Sequence, residues 1–308
     1  MDRQPRLIFT RFTLSSSNTQ TRDTMKHWLD NLPAEGKIPV LGRLVSWLRR
    51  LSGHPWTNDA LFQRQVRQWN RLAQETPYWS VLRGCAKTRT ISETDIEEFY
   101  RSGANEVETM QSYFRYAGCP PPSGICVDWG CGLGRVTIHL TKHFQRVVGV
   151  DISAAHLEMA QQYVNGLDKE TRNSITWCDL VHGQAKLADL SGQVDLIHSI
   201  LTLQHMPPPL MIETLTTFTH LLKEGGFAFF QIPTHGEKYT YQTFNHYQPS
   251  AIEVHALAQH KVHAIFRDHE CDAIATFENN RAGPGFLSHY FIFQKRRPEQ
   301  HQETKAGT

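Results

Sequence analysis

Residues 127–135 read VDWGCGLGR, an apolar run that ends in an aspartate and is followed by glycines at 130, 132 and 134. A strand entering a turn of this kind presents bare backbone at its carboxyl end, because no Cβ stands between the chain and a ligand. The pattern is GxGxG. The dinucleotide fingerprint GxGxxG needs a glycine where this chain has Arg135, and the GK[ST] ending of a phosphate loop is missing.

On both sides of this stretch, from about residue 95 onward, short apolar runs alternate with helical patterns, which predicts a mostly parallel sheet covered by helices. Strands are expected at 124–128, 146–151, 175–179, 194–199 and 227–232, with two more in the tail at 272–277 and 289–293. Helices are expected from near Gly134, from Ser153 to Val164 before Asn165-Gly166, and after Pro209, where Met211, Leu215, Phe218 and Leu222 form one stripe. Two capping boxes, Thr94-Asp95-Ile96-Glu97 and Ser250-Ala251-Ile252-Glu253, predict further helix starts. After Ser102-Gly103 a helix carrying Val107, Met110 and Phe114 on one face runs to Gly118 and the Pro120-Pro121-Pro122 linker, well placed to close over a ligand at the strand ends.

The domain reading follows: 1–24 disordered, 25–94 a helical N-terminal extension, 95–296 the α/β domain, and 297–308 a polar tail. Residues 37–52 place Leu41, Leu44, Val45 and Leu48 on one face of a basic amphipathic helix. Such a helix can pack on a domain or contact a membrane surface peripherally. No apolar run approaches the ~20 residues of a membrane span, and the N-terminus does not read as a secretory signal, so the expected location is cytoplasmic.

A formal charge of +2, from 32 basic and 30 acidic residues, gives no electrostatic reason to expect nucleic acid. The six cysteines include no CxxC pair, and no metal site is expected. The 17 histidines are scattered, so only position can single one out.

Two aspartates narrow the ligand. Asp151 ends the second strand, where a carboxylate can accept hydrogen bonds from both hydroxyls of a ribose, and Asp179 ends the third, in reach of an adenine amino group. With Asp128, successive strands thus end in carboxylates.

These residues resemble the class I S-adenosylmethionine-dependent methyltransferases over roughly residues 95–296. Val127 to Arg135 is similar to that family's first motif, and Val148 to Ser153 to its second-strand acidic motif. Asp195 to Met206 resembles the fourth-strand motif with its Gln-His. Leu221 to Gly226 resembles the Leu-Lys-Pro-Gly-Gly turn, with Glu224 in place of proline. The resemblance implies a Rossmann-like, mostly parallel seven-stranded sheet with helices on both faces and an antiparallel seventh strand at the sheet edge.

It also implies S-adenosyl-L-methionine as cofactor, held by Asp128, Gly130, Cys131, Gly132, Gly134, Asp151, Ile152, Asp179, Leu180 and Ser199. His205, just after the fourth strand, is the expected catalytic base, with His235, His246 and His255 as rivals. The expected reaction is methyl transfer to an O or N atom of a small-molecule or glycan-type acceptor. An NAD-dependent oxidoreductase, a nucleic-acid methyltransferase and a non-catalytic cofactor-binding scaffold are the competing readings. Arg135, and the absence of an Asn/Asp-Pro-Pro-Tyr/Phe stretch, count against the first two.

Overall fold

The structure is a computed structural model that describes residues 58–79, 81, 91–237, 239–241 and 252–297. The expectations for 1–24, 37–52, Ser250, Ala251, His246 and the tail beyond 297 lie outside the described residues. The chain divides into two compact units, residues 1–60 and 61–308, and the contacts below belong to the second.

The elements are α1 (Asn58–Glu75), α2 (Glu93–Tyr116), β1 (Ile125–Trp129), α3 (Thr137–Leu140), β2 (Arg146–Asp151), α4 (Ala154–Asn165), α5 (Lys169–Ser174), β3 (Ile175–Asp179), α6 (Gln184–Ala188), β4 (Val194–Ser199), α7 (Pro208–Leu221), β5 (Leu222–Gly236), α8 (Gln259–Asp268), β6 (Cys271–Asn279) and β7 (Phe286–Lys295). They build a seven-stranded sheet in the order β3-β2-β1-β4-β5-β7-β6. Strands β1 to β5 pair in parallel, with Val127 beside Val148 on one side and Ile197 on the other. The strand order reverses between β1 and β4, and in open α/β sheets the ligand crevice lies outside the carboxyl ends of the strands at that switch.

Interior parallel strands are covered on both faces, so they read as unbroken apolar runs. Every residue of β4 is buried, as are Cys126 to Trp129. Alternate side chains point to opposite faces. Val127, Val148, Ile197 and Phe230 meet Leu215 and Phe218 of α7 and Phe266 of α8, while Cys126, Val147, Leu196 and Phe229 meet Val107, Met110 and Phe114 of α2.

Several element boundaries differ from the sequence expectation. Helix α2 starts two residues early, because Ser92 and Asp95 form the reciprocal box: the Asp95 amide donates to Ser92 Oγ at 3.2 Å and the Ser92 amide to Asp95 Oδ2 at 3.0 Å. The helix then runs unbroken through Gly103. A Cβ there would sit 1.9 Å from the Arg135 carbonyl oxygen, so glycine is what lets α2 cross the backbone of the loop after β1. The first crossover helix begins only at Thr137, after turns over 132–136.

No helix begins at Glu253. Residues 252–258 are non-helical, with the His255 amide bonded to the Gln204 carbonyl at 2.7 Å and the Leu257 amide to the Pro233 carbonyl at 3.0 Å, and the helix begins at Gln259. The antiparallel seventh strand is one place in from the edge, between β5 and β6. Its Tyr290-Phe291-Ile292-Phe293 run is buried, as an interior strand must be, whereas β6 carries Asp272 and Glu278 and suits the rim.

A candidate active site at the switch of the sheet

The glycine turn is stitched to the end of β2. The amides of Gly130 and Cys131 both reach the Val150 carbonyl, at 2.7 and 3.0 Å, and the Gly132 amide donates to Asp151 Oδ2 at 2.8 Å. Gly130 has φ +74°, and a Cβ on it would meet the Thr202 side chain at 2.0 Å; Thr202 Oγ1 donates to the Gly130 carbonyl at 3.1 Å. The loops after β1 and β4 therefore close on each other across the switch, helped by Ser199 Oγ on the Trp129 carbonyl at 3.0 Å.

Asp151 joins the two halves of the turn. Its other oxygen accepts the Ser153 amide at 2.8 Å, and Ser153 caps α4 through the His156 amide at 3.3 Å. A carboxylate offers about four acceptor positions, and with the Ile152 amide also turned to it some capacity is left for a ligand. Burial raises the Asp151 carboxyl above its ordinary value, against the charge of His156 and the amides of Ser153 and Gly132; burial lowers His156 in turn.

Asp179 lies beside Asp151 in register and holds the Val181 amide at 2.8 Å and the His182 ring at 2.6 Å. Ile152 follows Asp151 on the same edge, and the Leu180 amide bonds the Asp151 carbonyl at 2.9 Å. Cys131 is buried and its thiol is pushed up by burial. Gly134 packs beneath Trp177, whose ring also covers Gly149.

Asp128 is turned inward. Its oxygens take Thr137 Oγ1 at 2.6 Å and His198 Nδ1 at 2.9 Å, which ties β1 to α3 and β4.

His205 sits in the short 3-10 turn Leu203–His205. Its Nδ1–H donates to the Glu253 carbonyl at 2.9 Å, and its Nε2 accepts from the Gln204 amide at 3.1 Å. Gln204 is in turn held by Gln231 at 3.4 Å, and Gln231 Oε1 accepts the amide of Leu201 at 3.2 Å. Leu201 has φ +58°, a conformation that costs a side-chain-bearing residue about 1–2 kcal/mol and that clusters at functional loops. Burial presses His205 down to about 4, so the ring is neutral at neutral pH with both nitrogens engaged inside the protein. His235 is exposed, and His255 is buried beside Glu253.

Sequence reasoning did not find the cover. Trp69 of α1 stands 5.5 Å from the His205 ring and 6.4 Å from the His156 ring, spanning the ends of β2 and β4. Asn70 Oδ1 accepts from Ser153 Oγ at 3.3 Å and the Ala155 amide at 3.4 Å. The 3.6-residue spacing of Leu61, Gln65, Gln68 and Leu72 was the available signal for the buried face of α1, but it names no partner.

The protein family described as "Methyltransferase domain" matches residues 126–226. This span is a class I S-adenosylmethionine-dependent methyltransferase domain. The methyltransferase domain is similar to a carboxy-S-adenosyl-L-methionine synthase of Pseudomonas aeruginosa (strain UCBPP-PA14), 29% identical over 109 residues covering 34% of this chain and 44% of that protein. The chain thus matches less than half the length of that curated relative.

Among solved structures it resembles phosphoethanolamine N-methyltransferase 1 of Haemonchus contortus in complex with phosphoethanolamine and S-adenosylhomocysteine. That likeness has 14% identity and a TM-score of 0.52, and covers 80% of this chain and 52% of that one. It also resembles magnesium protoporphyrin IX methyltransferase of Synechocystis PCC 6803 with bound SAM, at 16% identity and a TM-score of 0.50, covering 75% of this chain and 96% of that one. At these identities the likeness is one of fold. Among the described residues no helix is long and apolar enough to cross a membrane, and no group of His, Cys, Asp and Glu is placed to hold a metal ion.

Proposed function

We propose that this protein is an S-adenosylmethionine-dependent methyltransferase that moves a methyl group to an O or N atom of a small-molecule or glycan-type acceptor, and that it works in the cytoplasm. The observation that carries the reading is Asp151, which binds the Gly132 and Ser153 amides at once and keeps acceptor capacity for ribose hydroxyls at the sheet's switch. The residues present fit a bound nucleoside sulfonium. Among the described residues, a Cβ built on Gly132 would meet Val81 Cγ1 at 3.4 Å, an ordinary contact, so no described backbone crowds the turn where a methionyl chain can lie.

When bound, the sulfonium supplies a methyl carbon already activated by its leaving group. The protein's own task is to hold the acceptor in line with the methyl–sulfur bond, and to take a proton where the acceptor carries one. Gly130, Cys131, Gly132 and Gly134 support the methionyl part with backbone, and Asp128 steadies the turn from behind. Ile152, Asp179 and Leu180 line the adenosine, and Ser199 fixes the end of β4. With both ring nitrogens engaged, His205 positions the loop after β4.

Calorimetry with S-adenosylmethionine, S-adenosylhomocysteine and NAD tests the donor. Binding of the first two and not of NAD is expected. Binding of NAD alone would refute the proposal, and donor binding without turnover on any acceptor would favour a scaffold.

A further inference from the structure

Beyond β5, Tyr239 and the segment around Glu253 and His255 lie against the loop that follows β4. Three hydrogen bonds fix that segment: His255 amide to Gln204 carbonyl, Leu257 amide to Pro233 carbonyl, and the His205 ring to the Glu253 carbonyl. Glu253 and His255 are two apart, the spacing that puts side chains on one face of an extended chain. His255 Nε2–H donates to Glu253 Oε2 at 3.0 Å. With that proton held on Nε2, the lone pair is on Nδ1, and Nδ1 accepts from the Tyr239 hydroxyl at 3.0 Å.

The His255 side chain is 11% exposed, whereas Tyr239 is half-buried, so of the two the tyrosine is the more open to a small molecule. Arg64 of α1 approaches Glu253 Oε1 at 3.5 Å and steadies the far end of the chain. Carboxylate, imidazole and phenol thus form one hydrogen-bonded chain beyond the end of β5, with the imidazole its most buried member.

We propose that Tyr239 is a catalytic residue that takes the acceptor's proton, that His255 receives the phenol's proton and Glu253 holds the resulting imidazolium, both as positioning residues, and that the acceptor is accordingly a hydroxyl. The proposal rests on the methyltransferase reading above. As the acceptor oxygen forms its bond to the methyl carbon, its proton passes to Tyr239 Oη, and the phenol's own proton passes to His255 Nδ1. The methyl–sulfur bond breaks with its electron pair on sulfur, and the imidazolium formed lies beside the Glu253 carboxylate. An amine that binds in its neutral form attacks through its lone pair and needs no such relay. Burial holds the Tyr239 phenol up to about 12, so at rest it is a protonated donor to His255.

The test uses the full chain, methyl-labelled S-adenosylmethionine, and a panel of phenol, catechol, 1-propanol and glycerol set against aniline, o-phenylenediamine and propylamine. Label is expected on the hydroxyl members. Tyr239→Phe and His255→Asn should each lower kcat by about 100-fold, and Glu253→Gln by about 10-fold, with KM and donor affinity within threefold. Pentafluorophenol is ionised at neutral pH, so on it the same variants should stay within about fivefold of the parent, which a merely structural loss would not allow. Label on amines alone, label on no hydroxyl, variants within threefold of the parent on phenol, or equal losses on pentafluorophenol would each overturn the relay. Failure of the parent chain to bind S-adenosylmethionine in calorimetry would instead overturn the donor assignment.

Discussion

Replacing Asp151 by alanine removes one carboxylate from two jobs at once. In the free protein it accepts the Gly132 and Ser153 amides, each at 2.8 Å, in a site 8% exposed. A buried donor left without its partner costs about 1–3 kcal/mol and two lose theirs here, so thermal or urea unfolding should show a loss of at least that order even without ligand. Binding should suffer separately. A charge-assisted acceptor for ribose hydroxyls is worth about 1–3 kcal/mol, which corresponds to a rise of about 5- to 150-fold in the dissociation constant for S-adenosylhomocysteine. Calorimetry well below the melting temperature separates the two effects. Asp151→Asn gives an internal check: its single carbonyl oxygen satisfies one amide while its NH2 faces the other, so its stability should fall at least part of the way to alanine. If the alanine variant is less stable but binds S-adenosylhomocysteine within twofold of the parent, Asp151 is a staple of the turn and the ribose assignment fails.

Other consequences are equally direct. Gly103→Ala puts a methyl group into the Arg135 carbonyl, so α2 must move off the glycine turn; a cost of about 1–3 kcal/mol is expected despite the better helix propensity of alanine, read as a lower melting temperature and weaker S-adenosylhomocysteine binding. His205 is held down to about 4 from an ordinary 6.5, so the unfolded chain takes up a proton first as pH falls. The stability this neutral ring contributes is intact above about pH 6.5 and is lost progressively toward pH 4, by up to about 3 kcal/mol, and His205→Gln should flatten urea-unfolding stability across that window. Burial also lowers His139, His156 and His289, so some acid sensitivity should persist in the variant. Trp69→Phe should abolish the part of the tryptophan fluorescence change on S-adenosylhomocysteine binding that arises where Trp69 meets His156 and His205; an unchanged signal would remove α1 from the crevice.

What the sequence made readable follows from which interactions are local. The strands 146–151, 175–179 and 194–199 match β2, β3 and β4 residue for residue, because each is a short run rich in β-branched and apolar residues, and β2 and β3 each end in an aspartate. Helix α4 is just as plain, opened by Ser153 and closed at Gly166. The place of β7 was not readable, since a strand's neighbours are set by pairing across the chain and not by its own pattern. The segment around Glu253 was misread for the same reason: its hydrogen bonds go to Gln204 and Pro233, far away in sequence, and they outweigh a local cap signal. Trp69 and Asn70 carry no motif at all, and become part of the site only when α1 lies across the ends of β2 and β4.

The stitching of residues 253–257 onto the loop after β4 has a consequence for how such a protein changes through time. The groups assigned to the methyl donor lie between Asp128 and Ser199, inside the stretch that the family shares. Trp69 of the cover comes from before it, and the groups proposed for the acceptor side, Tyr239, Glu253 and His255, come from after it. Selection can therefore rewrite the flanking segments, and with them the choice of acceptor, while leaving the donor's seat untouched. Swapping those flanks between relatives should carry acceptor preference along with them.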